Sequence, residues 1–131
     1  MNSVLIVDDD GGMRKLLSRW LSSEGYQIRQ AADAETALEE ITRGAPDVVM
    51  CDVDMPGQGG LWLAGQIRER FPTTAIVLAT ALSTVPPIIS MRSGIVEYLV
   101  KPFARERVLR AVSSGMQWHA LETTRKPRVT R

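Results

Sequence analysis

Short runs of apolar residues alternate along the chain with segments whose apolar residues recur every three or four positions. Val4-Leu5-Ile6-Val7 is continuous, with no polar alternation, and predicts a parallel strand covered on both faces. Met13, Leu16, Leu17, Trp20 and Leu21 then fall at i, i+3, i+4, i+7 and i+8, the apolar stripe of a helix that Gly25 can close in a left-handed conformation. Tyr26-Gln27-Ile28-Arg29 alternates like an edge strand, and Asp33 is placed to cap a second helix that turns Ala34, Ala37, Leu38 and Ile41 inward and ends at Gly44. Residues 47–52 predict a third strand with a buried middle, followed by a loop rich in proline and glycine from Met55 to Gly60 and a third helix over roughly 61–71. Ile76-Val77-Leu78-Ala79-Thr80 and Glu97-Tyr98-Leu99-Val100 predict the fourth and fifth strands. A fourth helix is expected around 84–93, where Pro86-Pro87 fits only a first turn, so that helix is short or starts irregularly. Val108, Leu109, Val112 and Met116 mark the inner face of a fifth and last helix.

Five strands alternating with five helices predict an α/β fold of the flavodoxin-like, doubly wound (βα)5 type with right-handed crossovers. At this size the expected order of the five-stranded parallel sheet is 2-1-3-4-5. Ligands of such sheets bind beyond the carboxyl ends of the strands, at the switch point between strands one and three. Strand one ends in Asp8-Asp9-Asp10, strand three in Asp52, strand four in Thr80 and strand five in Lys101. Each has an ordinary explanation taken singly: Asp9 or Asp10 as a helix cap, Asp52 as a turn former, Thr80 as a β-former, Lys101 as a solvated cation. Their coincidence at four of the five strand ends points to chemistry.

Carboxylates brought together in this way repel one another and need a counter-ion. An acidic cluster without histidine or cysteine suits Mg²⁺, a hard cation that takes one or two carboxylates, keeps several waters and bridges to phosphate oxygens. Beside such an ion, Asp52 can attack a phosphoryl group and become an aspartyl phosphate. Lys101 would neutralise a second phosphoryl oxygen, and the Thr80 hydroxyl would hydrogen-bond a third.

Composition narrows the class further. The chain has 131 residues, enough for one self-sufficient core and too few for a multidomain enzyme. At 44% hydrophobic and 24% charged it has globular proportions rather than those of a disordered or repetitive chain. The net charge of +1 is uneven: Arg125, Lys126, Arg128 and Arg131 against Glu122 give the final stretch +3 and leave the body at −2. An acidic body argues against direct nucleic-acid binding by the domain, and the basic stretch reads as a solvated tail or linker. The single Cys51 excludes an intramolecular disulfide and reads as a small buried hydrophobe. With no apolar run near the length of a membrane span and no leader pattern at the N-terminus, a cytoplasmic protein without membrane contact is expected. Trp20, Trp62 and Trp118 read as packing residues, and His119 as a surface residue at a helix end.

Four stretches, residues 4–10, 47–57, 76–81 and 98–103, together resemble the receiver (CheY-like) domain of two-component response regulators. The resemblance covers residues 3 to about 119 and divides the chain into a receiver domain, 1–119, and a basic tail or linker, 120–131. It implies that Asp52 is the phosphorylated aspartate and a metal ligand, that Asp8 and Asp9 hold Mg²⁺ together with the backbone carbonyl of Asp54, and that Lys101 and Thr80 bind the phosphoryl oxygens. It further implies a sensor histidine kinase or phosphotransfer protein as donor, and a downstream effector domain or protein. The family's switch maps onto Thr80, drawn toward the phosphate, and Tyr98, which turns from solvent to a buried position. The face made by the fourth helix, fifth strand and fifth helix would then change, and a homodimer through that face is possible. Lys101-Pro102 is similar to the family's cis-peptide turn, which would aim the lysine.

Some positions depart from the family pattern. Asp54 adds a carboxylate two residues past Asp52, placed to influence metal affinity or water access. Leu82 is apolar where many relatives carry a polar group and is expected to shield the phosphoryl group and slow its hydrolysis. Gly57-Gln58-Gly59-Gly60 is unusually rich in glycine, while Pro86-Pro87 and Ile95-Val96 replace the usual small and acidic residues. Two other functions compete. One is a receiver-like interaction module that works without phosphorylation. The other is a phosphohydrolase similar to the haloacid dehalogenase class, which Asp52-Val53-Asp54 at a strand end also resembles. That class places its acidic pair after the lysine, whereas here the pair Asp8-Asp9 comes first and only Glu106 and Glu122 follow Lys101. The receiver reading therefore leads: no enzyme turnover, only self-catalysed aspartyl phosphorylation and dephosphorylation.

Overall fold

The computed structural model describes residues 2–81 and 94–124. The predicted helix around 84–93, with Leu82 and Pro86-Pro87, lies outside the described residues, as do Arg125, Lys126, Arg128 and Arg131.

Along the described chain the elements are β1 (Ser3–Val7), α1 (Gly11–Ser22), β2 (Gln27–Ala31), α2 (Ala34–Arg43), β3 (Val48–Asp52), α3 (Gly60–Arg70), β4 (Ala75–Thr80), β5 (Ile95–Val100) and α4 (Arg105–Thr124). The strands form one parallel sheet in the order β2-β1-β3-β4-β5, as the alternation predicts. Continuous apolar strands arise because both faces are covered. On one face Val4, Ile6, Val48, Met50, Val77 and Leu99 pack against Leu17 and Leu21 of α1 and Val108, Ala111 and Val112 of α4. On the other, Leu5, Val7, Val49, Cys51, Ile76 and Leu78 pack against Ala37 and Ile41 of α2 and Leu63 and Ile67 of α3. Trp20 and Trp118 border the first cluster and Trp62 the second.

Local chemistry sets the element ends. Asp10 caps α1 by accepting from the backbone N–H groups of Gly12 and Met13, and Asp33 caps α2 through Thr36 N–H. Gly25, at φ 90°, turns the chain between α1 and β2. The β4–β5 pairing shifts by one residue, with Ile76 opposite Ile95 but Val77 opposite Glu97. This bulge puts Ile95 and Tyr98, three positions apart, against the same core cluster. The helix predicted by Val108 to Met116 continues to Thr124.

The strands are staggered so that their carboxyl ends finish together. Val7 pairs with Cys51, Asp52 with Ala79, and Thr80 with Val100. The residues on or just past these ends share one edge of the sheet.

Candidate functional site

At that edge, Asp8, just past β1, and Asp52, the last residue of the adjacent β3, are buried, 3% and 7% exposed. The Lys101 Nζ lies between them, 3.1 Å from Asp8 Oδ2 and 3.0 Å from Asp52 Oδ2. Each carboxylate is held from behind by an amide. Asp10 N–H donates to Asp8 Oδ1 at 2.9 Å, and Asp54 N–H donates to Asp52 Oδ1 at 3.0 Å. The Arg14 guanidinium donates to the Asp8 backbone carbonyl at 2.7 Å, tying the first turn of α1 to the end of β1. Lys101 precedes a cis peptide bond to Pro102.

One carboxyl oxygen from each of Asp8, Asp9 and Asp52 can be chosen so that all three lie within 4.8 Å of one another. Asp9 is exposed while the other two are buried, so the cluster opens to solvent on one side. An all-oxygen donor set with room for water fits a hard divalent cation such as Mg²⁺ and offers nothing to a soft metal.

The balance of charge is unfavourable in the metal-free site. Burial pushes the Asp52 carboxyl above its ordinary range, outweighing the Asp54 amide and Lys101, which pull it down, and Asp8 pushes it further up. For Lys101, burial pulls down, but the hydrogen bonds to Asp52 and Asp8 prevail and its pKa is raised overall. Neighbouring Cys51 is driven far up, first by burial and then by Asp52 and Asp8, so it remains a protonated, inert thiol.

Because the folded-state pKa of Asp52 exceeds the unfolded value, its ionised form opposes folding. The stability it contributes is present below the unfolded pKa and is lost as pH rises through the folded one. Asp52→Asn is therefore expected to stabilise the metal-free protein by about 1 kcal/mol near neutral pH, the scale of relieving one poorly compensated buried group. Thermal melts in chelator should show the gain at about pH 7 and its progressive loss as pH falls and wild-type Asp52 takes up its proton. An unchanged melting temperature across that range would refute this balance.

Thr80, 1% exposed at the end of β4, donates its hydroxyl to Asp54 Oδ2 at 3.0 Å. Tyr98 is half-buried on β5, and its phenol is raised by burial and, secondarily, by the Asp54 carboxylate. The structure thus brings Asp8, Asp9, Asp52, Asp54, Thr80 and Lys101 to one edge, with Tyr98 nearby. Asp10 serves α1 as its cap rather than joining the metal-sized cluster.

Two features escaped the sequence. A Cβ at Gly60 would fall against the Asp52 carbonyl oxygen and 3.0 Å from Val53 Cα, so only glycine lets α3 begin this close to the end of β3. The glycine-rich loop carried that signal without saying which glycine mattered. The second is His119, read as a surface residue. Its Nδ1 lies 2.6 Å from the Thr73 carbonyl and its Nε2 3.1 Å from Asp47 Oδ1. Asp47 in turn accepts from Ser3 N–H at 3.0 Å, so this network joins α4 to the sheet edge opposite the acidic site. A lone histidine gave no hint of partners 46 and 72 residues away.

The sequence matches the model of the response regulator receiver domain over residues 4–113. It is 40% identical over 111 residues to the response regulator protein FleR of Pseudomonas aeruginosa, covering 84% of this chain and 24% of that protein. It is 32% identical over 117 residues to the transcriptional regulatory protein YxdJ of Bacillus subtilis, covering 89% of this chain and 51% of that one. The chain therefore spans about a quarter of the one and half of the other. Among solved structures it is 37% identical to the response regulator TrrA of Thermotoga maritima, determined in complex with Mg(2+)-BeF. That likeness has a TM-score of 0.77 and covers 88% of this chain and 99% of TrrA. A CheY-like receiver domain protein from Methanospirillum hungatei, 23% identical, shares the fold at a TM-score of 0.86 over 93% of this chain and 98% of that one. The sheet order, the strand-end residues and these matches agree: the chain belongs to the response regulator receiver domain family of two-component signalling.

Proposed function

We propose that this receiver accepts a phosphoryl group on Asp52 from a phosphohistidine of a sensor histidine kinase or phosphotransfer protein. The observation that carries the reading is Lys101 Nζ lying at hydrogen-bond distance from both Asp8 and Asp52, beside an acidic opening of three carboxylates. Asp8, Asp9 and Asp52, with the Asp54 backbone carbonyl, would hold Mg²⁺. When bound, the ion supplies charge neutralisation and a template for phosphoryl oxygens.

Asp52 is held for attack by Lys101 on one oxygen and the Asp54 amide on the other. A new P–O bond forms to the carboxylate as the donor's P–N bond breaks, and the imidazole leaves with its electron pair. Lys101, already positioned, then neutralises a phosphoryl oxygen, and the Thr80 hydroxyl hydrogen-bonds another. As Thr80 moves inward, Tyr98 turns into the space released. The face of β5, α4 and the segment before β5 presents the change to an effector or a second receiver. The domain signals rather than turning over an external substrate, and it works in the cytoplasm, with the basic stretch that follows α4 as tail or linker. Among the described residues, no helix is long and apolar enough to cross a membrane.

Intact mass after incubation with acetyl phosphate tests the reading. One phosphoryl adduct is expected, dependent on Mg²⁺ and absent in Asp52→Asn. No adduct, together with no binding of beryllofluoride, would favour a module that works without phosphorylation. Multiple turnover on a small phosphate ester would favour a phosphohydrolase.

A further inference from the structure

We propose that the Asp54 side chain is a positioning residue that restrains the Thr80 hydroxyl in the resting state and so sets how readily the receiver takes up its phosphoryl group. The inference rests on Asp52 as the phosphoacceptor. It goes beyond the Asp54 backbone carbonyl as a metal ligand, because it concerns the carboxylate and acts through Thr80.

The geometry begins with the main chain. Val53 N–H donates to the Ala79 carbonyl at 2.7 Å, fixing the loop after β3 against β4, and Asp54 N–H donates to Asp52 Oδ1 at 3.0 Å, tying the next residue back to the end of β3. From there the Asp54 carboxylate accepts the Thr80 hydroxyl proton at 3.0 Å. A threonine hydroxyl has one proton to donate. The phosphoryl oxygen and Asp54 Oδ2 therefore compete for the same donor, and the resting state holds it on the carboxylate. Hydrogen bonds to a charged acceptor are stronger than neutral ones, which makes this restraint worth releasing only when the incoming oxygen is itself anionic. Asp54 also acts electrostatically on Tyr98, so one carboxylate touches or influences both switch side chains.

Two mechanisms would make Asp54 unfavourable to a phosphoryl group: the restraint on Thr80, and direct repulsion between two anions. A double-mutant cycle separates them, because the restraint vanishes when Thr80 has no hydroxyl and the repulsion does not. The experiment is calorimetric titration of beryllofluoride, with Mg²⁺ saturating, into the full chain carrying Asp54→Ala, Thr80→Val or both. Mg²⁺ alone is titrated in parallel to report any change at the metal.

Asp54→Ala is expected to bind beryllofluoride about tenfold more tightly than wild type, the net scale of one charge-assisted hydrogen bond. In the Thr80→Val background the same substitution is expected to change affinity less than about twofold. Asp54→Asn keeps an acceptor oxygen and should restore wild-type affinity to within about threefold. Equal affinity of Asp54→Ala and wild type overturns the proposal, as does an undiminished gain in the Thr80→Val background. Wild-type protein that is folded yet takes up no beryllofluoride with Mg²⁺ overturns the phosphoacceptor reading itself, and the restraint with it.

Discussion

Lys101→Met is expected to destabilise the metal-free protein by about 3 kcal/mol, the lower end of the cost of removing one partner from a buried ion pair. The substituted side chain preserves the apolar stem but leaves Asp8 and Asp52, both less than one-tenth exposed, facing each other with no cation between them. Asp52, already raised by burial and by Asp8, then takes up a proton at still higher pH to limit the repulsion. At this chain length the loss corresponds to a fall in melting temperature on the order of 10 °C. Mg²⁺ should recover much of it, because the variant offers the ion a more negative site, so the stabilisation by Mg²⁺ is expected to be larger than in wild type. Phosphoryl uptake should nevertheless remain at least about a hundredfold slow, since no side chain meets the charge developing on the phosphoryl oxygen. Denaturant unfolding with chelator and with Mg²⁺, alongside adduct kinetics by mass, checks each part. Equal stability of variant and wild type in chelator would show that solvent, rather than Lys101, compensates the two carboxylates.

Gly60→Ala should cost a similar amount, about 3 kcal/mol, by a different route. The added methyl meets the Asp52 carbonyl oxygen and sits 3.0 Å from Val53 Cα, and backbone atoms have no rotamer with which to yield. Either the start of α3 lifts from β3 or the main chain at Asp52 shifts. A shift of about 1 Å at a reacting carboxylate is enough for about a hundredfold loss in rate. Gly65, on the same helix with open space where a Cβ would sit, supplies the control. Gly65→Ala should gain up to about 1 kcal/mol of stability and leave phosphoryl uptake unchanged. A Gly60→Ala protein that melts with wild type would mean that α3 is free to start farther from β3.

The sheet was legible because β1, β3 and β4 are apolar almost without interruption, a pattern that parallel strands with helices on both faces produce, while β2 alternates as an edge strand does. The strand-end residues followed from the fold, since a doubly wound sheet gathers whatever lies past its carboxyl edges. What the sequence concealed was register and distance. Ile95 and Val96 read as unusual substitutions before a strand beginning at Glu97, yet β5 begins at Ile95 and carries a bulge, so its side chains do not keep period two. The Thr80–Asp54 bond joins residues 26 apart, and no periodicity reports on such pairings. Likewise His119 acquires its partners only when α4 lies across the sheet, which brings Asp47 and Thr73 beneath it.

The seating of α4 has a mechanical consequence. A Cβ at Gly115 would lie 3.0 Å from Val48 and 3.4 Å from Ala75, so at that residue the helix presses closely on the starts of β3 and β4. His119 grips the same edge one turn later. Sliding α4 along the sheet would break both contacts, so together they hold this part of the helix in register with the strands. Gly115 lies about 15 Å along the helix from Arg105, so α4 is pinned to the sheet in its C-terminal half.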